Sequence, residues 1–185
     1  MTQRKNTKAK RTTARRRASA AVAGSMMVAA VAQAIGVGDP LPSFEAQSTR
    51  GPIRSEDLKG RWVVMFFYPK AFTPGCTKES CSLRDAYSKL ADLGVSVFGV
   101  SVDKLETQQK FKEKYQLPYD LIADDEKKVS AAFGVLAPLK AYASRRTFVI
   151  SPDGRVAHVV DQVSVDTHGE DLVELVRKLQ AQARP

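Results

Sequence analysis

The stretch "WVVMFFYPKAFTPGCTKESC", Trp62 to Cys81, holds the transition that decides the fold. Its first seven residues, Trp62 to Tyr68, are a continuous apolar run rich in aromatic and β-branched side chains, as expected for a strand buried on both faces. Pro69 ends that run. Thr73 and Pro74 then offer a helix start, with a hydroxyl residue at the N-cap and a proline at the first helical position, where its missing N–H costs nothing. From Cys76 to about Leu93 the residues Leu83, Ala86, Tyr87, Leu90 and Leu93 recur on one helical stripe. A buried strand feeding an amphipathic helix is the first half of an α/β crossover.

Working outward, "VSVFGVSV" (Val95 to Val102) repeats the buried-strand pattern. A second helix is expected over Leu105 to Tyr115, closed by Pro118. "YDLIAD" reads as a short strand and "EKKVSAAFG" as a short helix ending at Gly134. "RTFVI" and "VAHVV" are strands joined by "SPDG", whose turn chemistry favours a hairpin. A final amphipathic helix starts at Asp166 or Thr167 and carries Leu172, Leu175, Val176 and Leu179. Together these predict an α/β, thioredoxin-like fold: a mixed central β-sheet flanked by helices on both faces.

The length of 185 residues suits one domain with a leader. The net charge of +9 is concentrated at the start, where residues 1–17 hold eight basic groups and no acid. The first carboxylate is Asp39, and residues 39–185 carry 21 basic against 20 acidic groups, so the body lacks the charge of a nucleic-acid binder. Residues 18–37 are weakly apolar and Ala-rich, and "AQA" (Ala32 to Ala34) has the small-x-small form of a signal-peptidase site. Residues 1–38 therefore read as a targeting leader, for export to a periplasm or import into an organelle such as a chloroplast. A disordered basic tail on a cytoplasmic protein is the alternative. Ser25, Gln33 and the glycines at Gly24 and Gly36 dilute the segment as a membrane anchor, so no stable membrane association is expected. The domain itself is assigned to residues 39–185.

The two cysteines, Cys76 and Cys81, are too few for a disulfide-stapled scaffold. Cys76 falls at the third helical position, among unpaired backbone N–H groups at the positive end of the helix dipole, which favours thiolate. Full ionisation of an ordinary cysteine raises the thiolate population only roughly 30-fold, so a larger acceleration needs groups that grip the transition state. Cys81 lies about 140° around the helix from Cys76, with Ser88 and Asp92, while Cys76 lines up with Leu83, Tyr87 and Leu90. In a wound helix the two Cα atoms are roughly 8–9 Å apart, beyond the ~7 Å reach of a disulfide. Three readings stay open: two unrelated buried thiols, a metal site, or a nucleophile with a second thiol that attacks after unwinding. Metal is disfavoured because the spacing is not Cys-x-x-Cys and His158 and His168 are remote in sequence.

The residues Pro69, Thr73 and Cys76 form Pro-x-x-x-Thr-x-x-Cys within "FYPKAFTPGCTKESCSLRD", and this resembles the peroxiredoxin family, in the group of plant peroxiredoxin Q and bacterioferritin comigratory protein. Cys81, five residues on, is characteristic of that group. The likeness extends through "GVSVD", "YQLPYDLIADDEKKVSAAFGV" and "RRTFVISPDG", covering nearly all of residues 38–180. The resemblance implies a thiol peroxidase acting on hydrogen peroxide and organic hydroperoxides without cofactor or metal. Cys76 would be the peroxidatic cysteine that becomes a sulfenic acid. Cys81 would be the resolving cysteine that condenses with it to an intramolecular disulfide, reduced in turn by thioredoxin or a similar dithiol protein. Thr73 matches the residue that bonds the peroxide, Pro69 the one that shields the thiolate, and Arg145 the active-site arginine, with a slip to the adjacent Arg146 open. A monomer suffices, because both sulfurs lie on one helix. A thioredoxin-like disulfide exchanger would want Cys-x-x-Cys, which is absent; a non-enzymatic redox-sensing module is the remaining rival.

Two departures from the family pattern bear on substrate. The loop "LAPLKAYAS" is short and lacks tryptophan, so substrate contacts there do not carry over. Ala71 and Phe72 stand where many relatives have polar residues, which suggests an apolar mouth. Other residues have plainer readings: Trp62 as packing, Asp103 as a helix cap, and Asp124 to Glu126 as turn and cap chemistry. Arg84 and Asp85 read as a helix-face pair or a brace for the first turns. His158 and His168 have no catalytic task.

Overall fold

The computed structural model describes Met1, residues 35–137, Leu139 and residues 141–183; the proposed leader lies almost wholly outside the described residues. Seven strands form one mixed sheet in the order β2-β1-β5-β4-β3-β6-β7. They are β1 (Glu45–Ser48), β2 (Gly51–Arg54), β3 (Trp62–Phe67), β4 (Val95–Ser101), β5 (Asp120–Ala123), β6 (Arg146–Ile150) and β7 (Val156–Val160). The helices are α1 (Pro74–Asp92), α2 (Leu105–Tyr115), α3 (Lys128–Ala132) and α4 (His168–Gln182), with a 3₁₀ turn at Ser55–Leu58.

The central trio β3, β4 and β5 is parallel, and β6 and β7 continue it antiparallel from β3. Alternation along β3 sends side chains to two separate cores. Val64, Phe66 and Tyr68 pack with Leu83, Ala86 and Leu90 of α1, Phe111 of α2, and Leu172, Val173 and Val176 of α4. Val63, Met65 and Phe67 pack on the other face with Phe98, Val129, Phe133 and Phe148. The continuous apolar run thus follows from burial on both faces. Trp62 is half-buried against the first cluster, as its packing role requires.

The hairpin β1–β2 has no counterpart among the elements expected from sequence. Its four-residue strands, "EAQS" and "GPIR", show too little periodicity to be read alone. They gain their place by pairing: β1 runs antiparallel to both β2 and β5. Ile35–Gly38, which composition groups with the leader, lie on the body of the fold. Ile35 packs against the second core, and Gly38 donates its N–H to Val156 at 2.8 Å.

Helix ends show two further differences. α2 stops at Gln116, which adopts the left-handed cap with φ 50°, before Pro118 is reached. Its N-cap is Lys104, not Asp103. Asp124 does act as expected, its carboxylate accepting the N–H groups of Val129 and Ser130 at 2.9 and 2.7 Å at the start of α3.

Candidate active site

The site forms where β3 hands over to α1. Thr73 occupies the N-cap position with extended backbone, and Pro74 opens the helix. The Thr73 hydroxyl makes no capping bond; it turns back and donates to the Lys70 carbonyl at 2.9 Å. The side chain therefore closes the loop Lys70–Thr73 rather than the helix. Cys76 sits in the first turn with 1% of its surface exposed. Phe72 holds φ +64°, a conformation that a bulky residue adopts only under outside constraint. Its ring leans on α2, 5.1 Å from the Phe111 ring, and Lys114 Nζ lies 5.7 Å from its centroid.

Asp103 supplies a second constraint. Its carboxylate accepts the Ala71 N–H at 2.7 Å and the Ser101 hydroxyl at 2.7 Å. Gln108, fully buried on α2, donates to Ser101 Oγ at 3.0 Å and accepts from the Tyr68 hydroxyl. A polar chain thus runs from the loop before Cys76 through β4 into α2, tying both flanks of the loop to rigid elements.

Sheet register brings the arginine. Phe67 pairs with Arg146, so the residues before β6 emerge at the same end of the sheet as Pro69. Arg146, Phe148 and Ile150 alternate with Arg145, Thr147 and Val149. Val149 belongs to the core under α1 and Phe148 to the opposite one, which turns Arg145 toward α1. Arg145 Nη2 donates to Cys76 Sγ at 3.3 Å, and Nη1 pairs with the Glu79 carboxylate. Arg146 pairs with Asp161 instead. The guanidinium lies against Gly75, where a Cβ would sit 3.5 Å from Arg145 Nη2, an ordinary contact distance.

Glu79 and His168 were not expected here. Glu79 is three residues after Cys76, on the same side of α1, and is completely buried. Burial pushes its carboxyl up to about 7, against the opposing pull of Arg145. His168, 1% exposed, bonds Thr147 Oγ1 through Nε2 at 2.8 Å and lies 3.8 Å from Glu79 Oε1. Burial lowers its pKa to about 4, so at neutral pH it is an uncharged imidazole. Burial also works against the Arg145 charge, but Glu79 and Cys76 outweigh it and hold that pKa above its ordinary value. Spacing alone could have flagged Glu79; nothing local to His168 announced its surroundings.

Cys81 is half-buried, and both cysteines are free thiols. Ser88 and Asp92, on its side of the helix, are exposed, while Leu83 and Leu90 on the Cys76 side are buried. Arg84 pairs with Asp85 at 2.8 Å and also donates to the Tyr115 carbonyl at 3.2 Å, bracing α1 against the end of α2. Pro69 lines a cleft of about 330 Å³ with Lys70, Val102, Asp103, Ala141 and Tyr142. Of the two apolar loop residues, only Phe72 reaches the surface, at 41% exposure, since Ala71 is buried. His158 stays in β7, away from these groups in the chain. Among the described residues no cluster of three or more His, Cys, Asp or Glu side chains could hold a metal ion.

Residues 37–159 match the AhpC/TSA family. The chain is 36% identical over 152 residues to Peroxiredoxin Bcp of Bacillus subtilis, covering 78% of this chain and 97% of that one. It is similar to the crystal structure of peroxidoxin BcpB from Mycobacterium tuberculosis, with a TM-score of 0.71, 36% identity, and coverage of 82% and 99% of the two chains. A bacterioferritin comigratory protein from Xanthomonas campestris, solved for its alkyl peroxide reduction activity, matches at a TM-score of 0.68 and 26% identity over 76% of this chain and 92% of that one.

Proposed function

Because the chain belongs to the AhpC/TSA family, within its Bcp/peroxiredoxin Q group of peroxidases, we propose that it reduces hydrogen peroxide and organic hydroperoxides through Cys76. The observation that carries the reading is the contact of Arg145 with Cys76 Sγ at 3.3 Å at the start of α1. In the reaction, the Cys76 thiolate attacks one peroxide oxygen, the O–O bond breaks, and water or an alcohol leaves with the peroxide proton. Cys76 becomes a sulfenate, which takes a proton from water to give the sulfenic acid. Negative charge moves from sulfur to the departing oxygen, and a fixed guanidinium beside the sulfur stabilises that charge without reorganising. Thr73 Oγ1, already donating to Lys70, keeps lone pairs with which to accept the peroxide O–H. Pro69 shields one side of the sulfur.

Cys81 then attacks the sulfenic sulfur, giving an intramolecular disulfide and water. Roughly 8–9 Å between Cα atoms in a wound helix must close for this, so α1 unwinds between the two residues. Thioredoxin or a similar dithiol protein restores both thiols. Ala141 and Tyr142 give the cleft beside Pro69 apolar surface, and this supports organic hydroperoxides as good substrates; the Xanthomonas relative's alkyl peroxide activity points the same way.

The test is peroxide consumption coupled to thioredoxin oxidation. Wild type turns over, Cys76→Ser does not, and Cys81→Ser forms sulfenic acid once but fails to recycle. An active Cys76→Ser protein would overturn the nucleophile; unimpaired recycling in Cys81→Ser would overturn the resolving role.

A further inference from the structure

Phe72 is an exposed aromatic residue held on a strained backbone. A φ of +64° is unfavourable for a bulky side chain, and such strain persists only where surrounding contacts impose it. Here they come from two directions. Asp103 grips the preceding Ala71 N–H at 2.7 Å, and α2 receives the ring, with Phe111 at 5.1 Å and Tyr115 at 6.2 Å between centroids. The ring nonetheless shows 41% of its surface to solvent, close before Cys76 in the chain. It does not line the cleft beside Pro69, whose other walls are Lys70, Val102, Asp103, Ala141 and Tyr142, so peroxide binding in that cleft gives it no task.

Cations lie beside the ring. Lys114 Nζ is 5.7 Å from the Phe72 centroid and 5.6 Å from that of Tyr115, and among the described residues no carboxylate pairs with it, its chain neighbour Glu113 included. Lys70, exposed just before Ala71 and Phe72, has no such partner either. Lys110 and Lys112 of the same helix, by contrast, are paired with Glu106 and Asp120. Tyr115 joins this surface to the second thiol, because its carbonyl accepts from Arg84, one turn after Cys81 on α1. Arg84 itself is matched by Asp85. An apolar ring with unmatched cations at its rim thus adjoins the helix that carries both sulfurs. Its supports are β4 and α2, which do not depend on how α1 is wound.

We propose that Phe72, Lys114 and Tyr115 form the docking surface for the dithiol protein that reduces the Cys76–Cys81 disulfide, and that this partner presents an apolar patch edged with carboxylates around its own cysteine pair. The proposal rests on the reading of Cys81 as the resolving thiol. An aromatic anchor inside a charged rim is the anatomy of a protein interface, and the rim cations steer an acidic partner toward it. A second copy of this chain fits less well, since a two-fold contact sets the same patch against itself and brings like charges together. Once docked, a thiolate of the partner attacks the half-buried Cys81 sulfur, and Cys76 leaves as thiolate. The partner's second thiolate then attacks the mixed disulfide and releases Cys81. Two electrons pass to this chain, the partner becomes a disulfide, and the two protons lost by its thiols return to Cys76 and Cys81 through water.

The test measures recycling by a thioredoxin of net negative charge and, separately, by dithiothreitol, in wild type, Lys114→Glu and Phe72→Gly. Lys114→Glu should raise KM for thioredoxin about tenfold and weaken its dependence on salt, as reversal of a rim charge does. Phe72→Gly removes the anchor and relieves the backbone, and should raise KM by about as much with the salt dependence kept. Reduction by dithiothreitol, which needs no docking, should match wild type in Lys114→Glu. If Phe72→Gly does not fold, Lys114→Glu alone decides. Thioredoxin kinetics and salt dependence at wild-type values in Lys114→Glu overturn the surface and leave the peroxidase reading intact. Equal slowing with both reductants does the same, because the residue would then act on the disulfide or the fold. Slower single-turnover oxidation of Cys76 by cumene hydroperoxide in Lys114→Glu would assign the surface to substrate. A reduced wild-type dimer in sedimentation that Lys114→Glu dissociates would assign it to a second copy, and either result overturns the proposal. A Cys76–Cys81 disulfide that dithiothreitol reduces and thioredoxin does not would overturn thioredoxin recycling, and the docking surface with it. Absence of that disulfide in oxidised wild type overturns the resolving role of Cys81 first.

Discussion

The carboxylate of Asp103, two residues past the end of β4, accepts the backbone N–H of Ala71, 32 residues away, at 2.7 Å. Ala71 is buried and precedes the left-handed Phe72, so this bond fixes the loop that delivers Thr73 and Cys76. Asp103→Ala leaves a buried N–H unpaired, and a loss of about 1–3 kcal/mol is expected in urea denaturation. Single-turnover oxidation of Cys76 by peroxide should slow in parallel, because the reacting groups lose their preset geometry. Wild-type kinetics in the variant would show that the loop is held by other means.

Arg145 and Arg146 are adjacent, yet their fates differ. Arg145→Gln should lower the second-order rate of Cys76 oxidation by roughly 100–1000-fold, the usual effect of removing a donor to transition-state charge. Arg146→Gln loses a partly exposed pair with Asp161 and should stay within about threefold of wild type. Stopped-flow measurement on both variants makes the comparison, and equal losses would mean the assignment of Arg145 is wrong.

Glu79 should make stability depend on pH with a recognisable sign. Its folded pKa, about 7, lies above the ordinary value of 4.5, so between those values the folded protein holds a proton that the unfolded chain has released. Stability from this group is present below pH ~4.5 and falls as pH rises through ~7. His168, lowered to about 4 from 6.5, acts oppositely and adds stability as pH rises from ~4 to ~6.5. The two slopes largely cancel in wild type. Glu79→Gln removes the first, so relative to wild type the variant should gain about 3 kcal/mol between pH 4.5 and 7 in urea melts. A difference that does not vary with pH would contradict the buried carboxyl.

The apolar mouth predicts selectivity. Wild type should use cumene hydroperoxide at least as well as hydrogen peroxide, judged by kcat/KM. Tyr142→Ala should lower kcat/KM for the organic substrate by roughly 10-fold, as loss of one apolar contact in a pocket does, with hydrogen peroxide little affected. A wide preference of wild type for hydrogen peroxide would end the idea.

The α/β layout was legible in the sequence, because the continuous apolar runs of β3 and β4 and the helical stripes of α1 and α4 are local signals. The sequence also determined the opposed phases of Cys76 and Cys81, since helical geometry converts a spacing of five into an angle. The family motif pointed to Cys76 and Thr73, and the Thr73-Pro74 pair placed the helix start. Which of Arg145 and Arg146 contacts Cys76 is visible in the tertiary structure alone. Arg145 precedes and Arg146 opens a strand buried on two faces, where apolar alternation carries no signal and pairing with β3 sets the direction. The same holds for Asp103, read as a cap but recruited by Ala71, and for the β1–β2 hairpin, which exists through its pairing with β5. Glu79 and His168 meet because α1 packs on α4, across 89 residues of chain. Periodicity reports how a segment buries its own face; which charged groups share a buried space depends on how distant segments pack, and only the folded chain specifies that.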